Sequence, residues 1–151
     1  MSICLRRREF IAGLGGAAAW PLAARAQQRA MPVIAYLSAR TADTDASMLV
    51  AVRRGLGDVG YTEGRNVAIE YRFTDGRYDR LSAQLTDLTQ RKVSVIVLAF
   101  ALTEELVQQV RASPIPIVFI TGIDPVRLGL VTSINRPGGN VVGVNTWRFQ
   151  C

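Results

Sequence analysis

The stretch Val93-Ser94-Val95-Ile96-Val97-Leu98-Ala99-Phe100 decides the fold. A continuous apolar run of strand length, directly after the charged pair Arg91-Lys92, predicts a strand that is buried on both faces, as in the centre of a parallel sheet. Residues 33–37 and 115–120 form two further runs of the same kind. We therefore expect these three strands to be buried neighbours.

The segments around these strands alternate between helical and strand patterns. Residues 44–59 place apolar side chains at helical spacing, with Gly60 as the residue that ends the helix. Residues 66–72 alternate apolar and polar side chains, which is typical of a strand near a sheet edge. Three more helical signals follow, and a last strand is predicted at 141–144. The first helix has an apolar face formed by Tyr78, Leu81, Leu85 and Leu88. The second helix runs from Thr103 to Ser113-Pro114, and the third begins at Asp124-Pro125.

This alternation predicts an α/β fold, a doubly wound parallel sheet of Rossmann-like type with helices on both faces. With the strand order 2-1-3-4-5, the direction of the crossovers reverses between the first and third strands. Ligands of such sheets bind at that switch point, outside the carboxyl ends of the strands. We therefore expect the site in the loops 38–43, 99–103 and 121–124, and we expect the loop around Asp75-Gly76 to lie away from it.

Composition excludes several classes of function. The chain has 151 residues, is 49% hydrophobic and 20% charged, and contains no histidine, so it has neither an imidazole base nor a histidine metal ligand. Its two cysteines, Cys4 and Cys151, form neither a zinc cluster nor a redox pair. Nucleophile-elbow, Walker and dinucleotide-binding motifs are also missing from the globular part, so we expect no catalytic residues, no cofactor and no metal site.

The positive charge is concentrated at the amino terminus. Of 18 Lys and Arg and 12 Asp and Glu, four arginines and one glutamate precede Gln27, which leaves 14 basic and 11 acidic residues from there on. The remaining arginines are scattered and do not alternate with aromatic residues. This distribution predicts no nucleic-acid surface.

Residues 1–26 have the three parts of an export signal. Arg6-Arg7-Arg8-Glu9-Phe10 opens it, a short Ala- and Gly-rich apolar run follows, and Ala24-Arg25-Ala26 is a small-x-small cleavage pattern. The pair Arg7-Arg8 with Phe10 resembles the twin-arginine type, which a translocase for folded proteins recognises. An ordinary Arg-rich secretory signal and an uncleaved anchor are the alternatives. We expect cleavage near Ala26 and a periplasmic product.

Several motifs together resemble a large bacterial family. They include Gly60-Tyr61-Thr62-Glu63-Gly64-Arg65-Asn66-Val67, Ile115-Pro116-Ile117-Val118-Phe119 and Asn135-Arg136-Pro137-Gly138-Gly139-Asn140-Val141. With the signal, they make the chain similar to substrate-binding proteins of ABC transporters, of the tryptophan/tyrosine type with a type I periplasmic binding protein fold. The resemblance implies capture of a small-molecule ligand outside the inner membrane and delivery to an inner-membrane ABC permease.

The chain departs from this family pattern at two places. Family members have two lobes, whereas residues 27–145 correspond to the first lobe and residues 146–151 form an atypical tail. We therefore expect a truncated copy that lacks the second lobe. The loop after the third strand is often small and Gly-rich in the family, but here it is Ala99-Phe100-Ala101-Leu102. Phe100 stacks on a ligand ring or belongs to the core.

Five residues in the three loops are candidates for ligand binding. Ser38 either donates its hydroxyl to a ligand or is a loop serine without a role in binding. Thr103 either only caps its helix or also offers its hydroxyl to a ligand carboxylate. Thr121 and Gly122 stand at the mouth of the cleft, where glycine permits close backbone approach. Asp124 pairs with a ligand ammonium or caps the turn before Pro125.

Two other functions compete with solute binding. An exported α/β-fold enzyme would use the same scaffold but needs a nucleophile and base or a metal cluster, for which the sequence has no motif. A non-functional fragment is the other alternative.

Overall fold

The computed structural model describes residues 31–100, 103–133 and 139–146. The amino-terminal segment with the predicted export signal, including Arg7, Arg8, Phe10, Ala24 and Ala26, lies outside these ranges, as do residues 147–151 of the tail. The elements within them are the strands β1 (Val33–Ser38), β2 (Ala68–Phe73), β3 (Val95–Ala99), β4 (Ile117–Thr121) and β5 (Val141–Asn145), and the helices α1 (Ala46–Asp58), α2 (Asp79–Gln90) and α3 (Glu104–Ala112).

The strands form one parallel sheet in the order β2-β1-β3-β4-β5. This order and the α/β class confirm the predicted doubly wound topology. The three apolar runs are neighbours at its centre, with Ser38 opposite Ala99 and Ala99 opposite Ile120 at their carboxyl ends. β3 and β4 are shorter than the apolar runs, because residues 93–94 and 115–116 lead into the strands.

One face of the sheet is covered by α2 and α3. Leu81, Leu85 and Leu88 of α2 are buried, and so are three apolar side chains of α3. They pack on the sheet residues of this face, which are Ala35, Leu37, Ile96, Leu98, Ile117, Phe119 and Val141. Tyr78, predicted on the same helical face, is 53% exposed. That prediction was wrong because Tyr78 is the residue before the first turn of α2.

The other face carries α1, which covers β2, β1 and β3. Met48, Leu49 and Val52 are half-buried against a cluster around Tyr36, whose ring lies 6.1 Å from that of Phe73 between centroids. Farther along the sheet, Val142 and Val144 of β5 are 55% and 57% exposed. A cavity of about 400 Å³ lies beside α1, lined in part by strand residues of this face. The apolar face is therefore only partly covered by the described residues.

β2 lies at the sheet edge, as predicted, but its two faces do not differ in burial. All six of its residues are half-buried. On one face Arg72 makes ion pairs with Glu70 and with Asp87 of α2, and their side chains cover the strand. The expected wetter face is therefore shielded by charged side chains.

Local sequence explains where the helices end. Gly60, at φ +88°, donates to the Gly57 carbonyl, and the next amide donates to that of Leu56, which is the arrangement expected of a glycine after a helix. The predicted helix after Asp124 was wrong, because the chain makes only a turn there. Gly129, at φ +70°, leaves the helical region after that turn and ends it. In the described ranges no helix is long and apolar enough to span a membrane.

Candidate functional site

The carboxyl ends of β1, β3 and β4 lie side by side at the predicted switch point. α1, which follows β1, covers one face of the sheet, and α3, which follows β3, covers the other. The crossovers therefore diverge from this edge and leave it open between them. The structure brings the three predicted loops together here, apart from residues 101–102, which lie outside the described ranges.

Ser38 belongs to the interior. Its side chain is fully buried, and its Oγ accepts a hydrogen bond from the Arg40 amide at 3.1 Å. This is the plain structural role that was the alternative to ligand binding. The hydroxyl orders the start of the loop after β1.

Thr103 caps α3. Its Oγ1 accepts a hydrogen bond from the Leu106 amide at 3.3 Å, and the side chain is exposed. Glu104 and Glu105 occupy the first turn of the helix. Because carboxylates there neutralise the favourable field of the helix N-terminus, this end of α3 is a poor place for an anion.

Thr121 and Gly122 end β4. The Thr121 side chain is buried, and its Oγ1 accepts from the Ile123 amide at 3.0 Å. Gly122 is half-buried, and a Cβ built on it would meet only Thr146 Oγ1 at 3.8 Å, an ordinary contact. The described residues therefore impose no requirement for glycine at this position.

Asp124 caps the turn that follows β4. Its Oδ1 accepts from the amides of Val126 at 2.9 Å and Arg127 at 3.4 Å. One carboxylate oxygen is thus engaged with the backbone. This is the capping role weighed against a pair with a ligand ammonium.

Sequence reasoning considered Phe100 by itself and missed the cluster that it forms at the same edge with Tyr36, Arg40 and Asp45. The Asp45 side chain is fully buried, and Tyr36 Oη donates to its Oδ2 at 3.1 Å. Arg40 Nε lies 3.4 Å from Oδ1, an ion pair without hydrogen-bond geometry. The Arg40 guanidinium also stands 4.7 Å from the centroid of the Phe100 ring. We call these four residues the Arg40 cluster.

Electrostatics ties Tyr36 to this cluster. Burial raises the pKa of the Tyr36 hydroxyl far above its ordinary value of 10.0, and the neighbouring Asp45 carboxylate adds to the increase. Tyr36 therefore remains a neutral hydrogen-bond donor at physiological pH. The buried carboxylate has a hydroxyl on one oxygen and a cation beside the other, which is how a buried charge is tolerated.

Phe100 has an unusual backbone conformation. Its φ is +51°, in the left-handed region that disfavours a bulky side chain, while its amide donates to the Ile120 carbonyl at 2.9 Å. Its ring packs against the cluster around Tyr36. Because Arg40 also stands over the ring, the interpretation of Phe100 as part of the core fits these contacts better than stacking on a ligand.

The loop after β2 lies closer to the site than we predicted. The Thr74 amide donates to the Ser38 carbonyl at 3.1 Å, and the Gly76 amide donates to that of Ala39 at 2.7 Å. Because β2 pairs with β1, the ends of these strands meet at the same edge. The loop that was expected to lie away from the switch point therefore supports the loop that carries Arg40.

Across residues 31–100, 103–133 and 139–146, no three Cys, Asp or Glu side chains come close enough together to hold a metal ion. The described side chains at the edge offer hydrogen bonds, the guanidinium charge of Arg40, the carboxylates of Asp124, Glu104 and Glu105, and apolar contact.

Comparisons with known proteins identify the fold. A solved, ligand-free substrate-binding protein with adhesive properties from Clostridium difficile superposes with a TM-score of 0.67 at 19% identity, covering 78% of this chain and 39% of that one. A domain from Streptococcus pneumoniae in complex with L-Trp gives 0.64 at 21% identity, covering 76% and 38%. A conserved domain protein from Vibrio cholerae gives 0.65 at 24% identity, covering 78% and 39%.

Sequence similarity agrees with this fold. A curated tyrosine-binding protein from Clostridioides difficile is 28% identical over 96 residues, which is 62% of this chain and 27% of that protein. The chain thus spans about a quarter of this relative. The family described as ABC transporter substrate binding protein matches residues 33–149, which include every described strand and helix. On this match, the chain belongs to the ABC transporter substrate-binding protein family.

Proposed function

We propose that this chain captures a small solute for an ABC-type import system and that aromatic amino acids are the favoured ligand class. The family match over the whole described sheet carries the proposal. The relatives support the ligand class, since one is named a tyrosine-binding protein and another was solved with L-Trp. The curated relative and the solved protein from Clostridium difficile are both named as binding proteins.

The ligand would lie on the open edge at the switch point. Thr103, Gly122 and Asp124 would contact it directly, because each is at least partly exposed there. Ser38 and Thr121 would act by holding the loops, since both hydroxyls are buried and engaged. In this arrangement residues 27–145 form one wall of a cleft.

The second wall would come from a second lobe, since the relatives are about twice as long as this chain. A single wall buries only part of a ligand, whereas binding sites normally bury most of it. We therefore expect this chain alone to bind aromatic amino acids weakly, with a dissociation constant on the order of millimolar. A permease in the inner membrane would be the partner of the complete system.

A titration of the full chain tests the proposal. We expect saturable binding of L-Trp and L-Tyr, followed by saturation-transfer NMR, and no binding of a neutral sugar of similar size. Equal signals for the sugar and the amino acids, or no saturable binding up to the solubility of each ligand, would refute it. Micromolar affinity would contradict the one-wall arrangement.

Export is a separate part of the proposal. The protein family is typically extracellular or periplasmic, and residues 1–26 would direct the chain there through Arg7, Arg8 and Phe10, with cleavage at Ala24-Arg25-Ala26. N-terminal sequencing of periplasmic protein should start near Gln27. Replacing Arg7 and Arg8 with Lys should block export if the twin-arginine translocase is used, and unchanged export would leave the general secretory route.

A further inference from the structure

We infer that Arg40 is the anchor for a carboxylate group of the ligand and that Asp45 positions it. The inference rests on the proposed solute-binding function. It names the group of the ligand that this chain would bind, the carboxylate, and the side chain that would bind it. Its basis is the geometry of the Arg40 cluster at the open edge.

Among the described residues, the polar partners of the Arg40 guanidinium lie along one of its edges. Nε faces the buried Asp45 carboxylate, and Nη2 lies 3.5 Å from the Thr44 carbonyl oxygen. In the described part of the chain Nη1 has no hydrogen-bond partner. The end of the guanidinium formed by Nη1 and Nη2 therefore still has N–H groups to donate, and a planar pair of donors matches a carboxylate.

The position of Arg40 suits a ligand contact. It follows β1 directly, in the loop at the switch point, and its side chain is 40% exposed while that of Asp45 is fully buried. Asp45 and the Phe100 ring hold the guanidinium from two directions. Such preorganisation lowers the entropy cost of binding, and backbone strain of the kind seen at Phe100 clusters at ligand sites.

The rival position for an anion at this edge is the N-terminus of α3. Glu104 and Glu105 in its first turn oppose a negative ligand group there. Arg40 carries a full charge, and Asp45 neutralises it only from the buried side. A ligand carboxylate is therefore directed to the loop after β1.

The chain provides a matched control for Arg40. Arg53 has a similar arrangement, with its guanidinium 5.0 Å from the Tyr71 ring centroid and Nε 2.9 Å from Glu63 Oε2. It lies in the second half of α1, and Glu63 precedes β2, at the opposite end of the strands. A variant at Arg53 thus removes the same chemistry away from the switch point.

The experiment compares L-Trp with L-tryptophanamide, which lacks the carboxylate, on the full chain. We expect the wild type to prefer L-Trp by about tenfold, the factor expected for one charge-assisted hydrogen-bonded contact. The double variant Arg40→Gln/Asp45→Asn, which avoids leaving a buried charge unpaired, should bind both ligands equally. Arg53→Gln should retain the wild-type preference.

Folding of the variants is checked by far-UV circular dichroism. Arg40→Lys is the second variant, because its ammonium still neutralises Asp45 but cannot present a planar pair of donors. It should show a reduced preference. Three results would each overturn the inference and leave solute binding intact. The wild type could bind both ligands equally, the preference for L-Trp could survive in both Arg40 variants, or it could disappear in Arg53→Gln. If neither ligand binds the wild type, the proposed function itself fails.

Discussion

Replacing Gly143 with alanine should destabilise the fold, although the residue lies on an exposed strand. Gly143 is opposite Phe119 in the β4–β5 pairing. A Cβ at this position would lie 2.1 Å from both Cε2 and Cζ of the Phe119 ring. Carbon atoms pack at about 3.5–4.0 Å, so the ring or β5 must move by roughly 1.5 Å.

The magnitude follows from what such a movement disturbs. Phe119 is 2% exposed and packs under α3 with the rest of its face. Overpacking of this kind costs about 1–3 kcal/mol, and the smaller entropy of the unfolded alanine chain offsets about 0.4–1 kcal/mol of it. We expect Gly143→Ala to lower the free energy of unfolding by about 1.3 kcal/mol.

Urea unfolding followed by far-UV circular dichroism measures this change. Gly55→Ala is the control, because Gly55 lies inside α1 with nothing within 4 Å of its added Cβ and should gain about 0.5–1 kcal/mol. Phe119→Leu in the Gly143→Ala background should recover part of the loss. A Gly143→Ala protein within about 0.5 kcal/mol of wild type, or strictly additive effects of the two substitutions, would refute the steric argument.

Three further predictions concern helix ends and ion pairs. Lys92 follows α2 with φ +54°, a conformation that glycine adopts without strain, so Lys92→Gly should stabilise the protein by about 0.5–1 kcal/mol. Gly60, at φ +88°, is the reverse case, and Gly60→Ala should destabilise the protein. Thermal melts compare the two variants. Asp124→Ala should cost about 1 kcal/mol in urea unfolding, and Asp124→Asn should retain most of the cap. The hydrogen bond from Arg91 holds the pKa of the Glu70 carboxyl below its ordinary 4.5, so this stability is present above that pH and is lost as the pH falls through the lowered value. Because the Glu70–Arg91 pair is partly exposed, Glu70→Gln should reduce the loss of unfolding free energy on acidification by less than about 1 kcal/mol. An equal loss in variant and wild type would show that this pair does not contribute to the acid sensitivity.

The strand order could be predicted from the sequence because it depends on features that tertiary context rarely changes. A continuous apolar run such as 93–100 has no wet face, so it belongs in the middle of the sheet. Right-handed crossovers then leave few arrangements for the remaining strands. The observed order confirms that reasoning.

The degree of burial could not be predicted in the same way. Spacing shows which side of α1 faces the sheet, but no residue of this helix is fully buried and Val59 is 70% exposed. Periodicity reports the direction of a side chain and not the amount of structure above it. The missing helix after Asp124 has a related cause, because the conformation of Gly129 outweighed the helix-start signal.

The position of the candidate site followed from topology, but its chemistry did not. The ends of three strands had to meet at one edge, so the correct loops could be named. Whether a hydroxyl there is free depends on single backbone amides, such as that of Arg40 beneath Ser38. The Arg40 cluster was missed because its members come from a strand, a loop and the start of a helix, and no single sequence period links positions 36, 40, 45 and 100.

Phe100 connects these observations. The loop that carries Phe100 departs from the small, Gly-rich pattern of the family, and the backbone at Phe100 has the positive φ that glycine adopts without strain. A phenylalanine there costs about 1–2 kcal/mol, and partial burial of its ring offsets part of this cost, since a fully buried Phe contributes about 1.5–3 kcal/mol. The same ring gives the Arg40 guanidinium a surface to rest on. Among the described residues, a glycine there would leave the Arg40 guanidinium with Asp45 and the Thr44 carbonyl as its contacts. The residue that departs from the family pattern therefore also helps to hold the proposed carboxylate anchor in place.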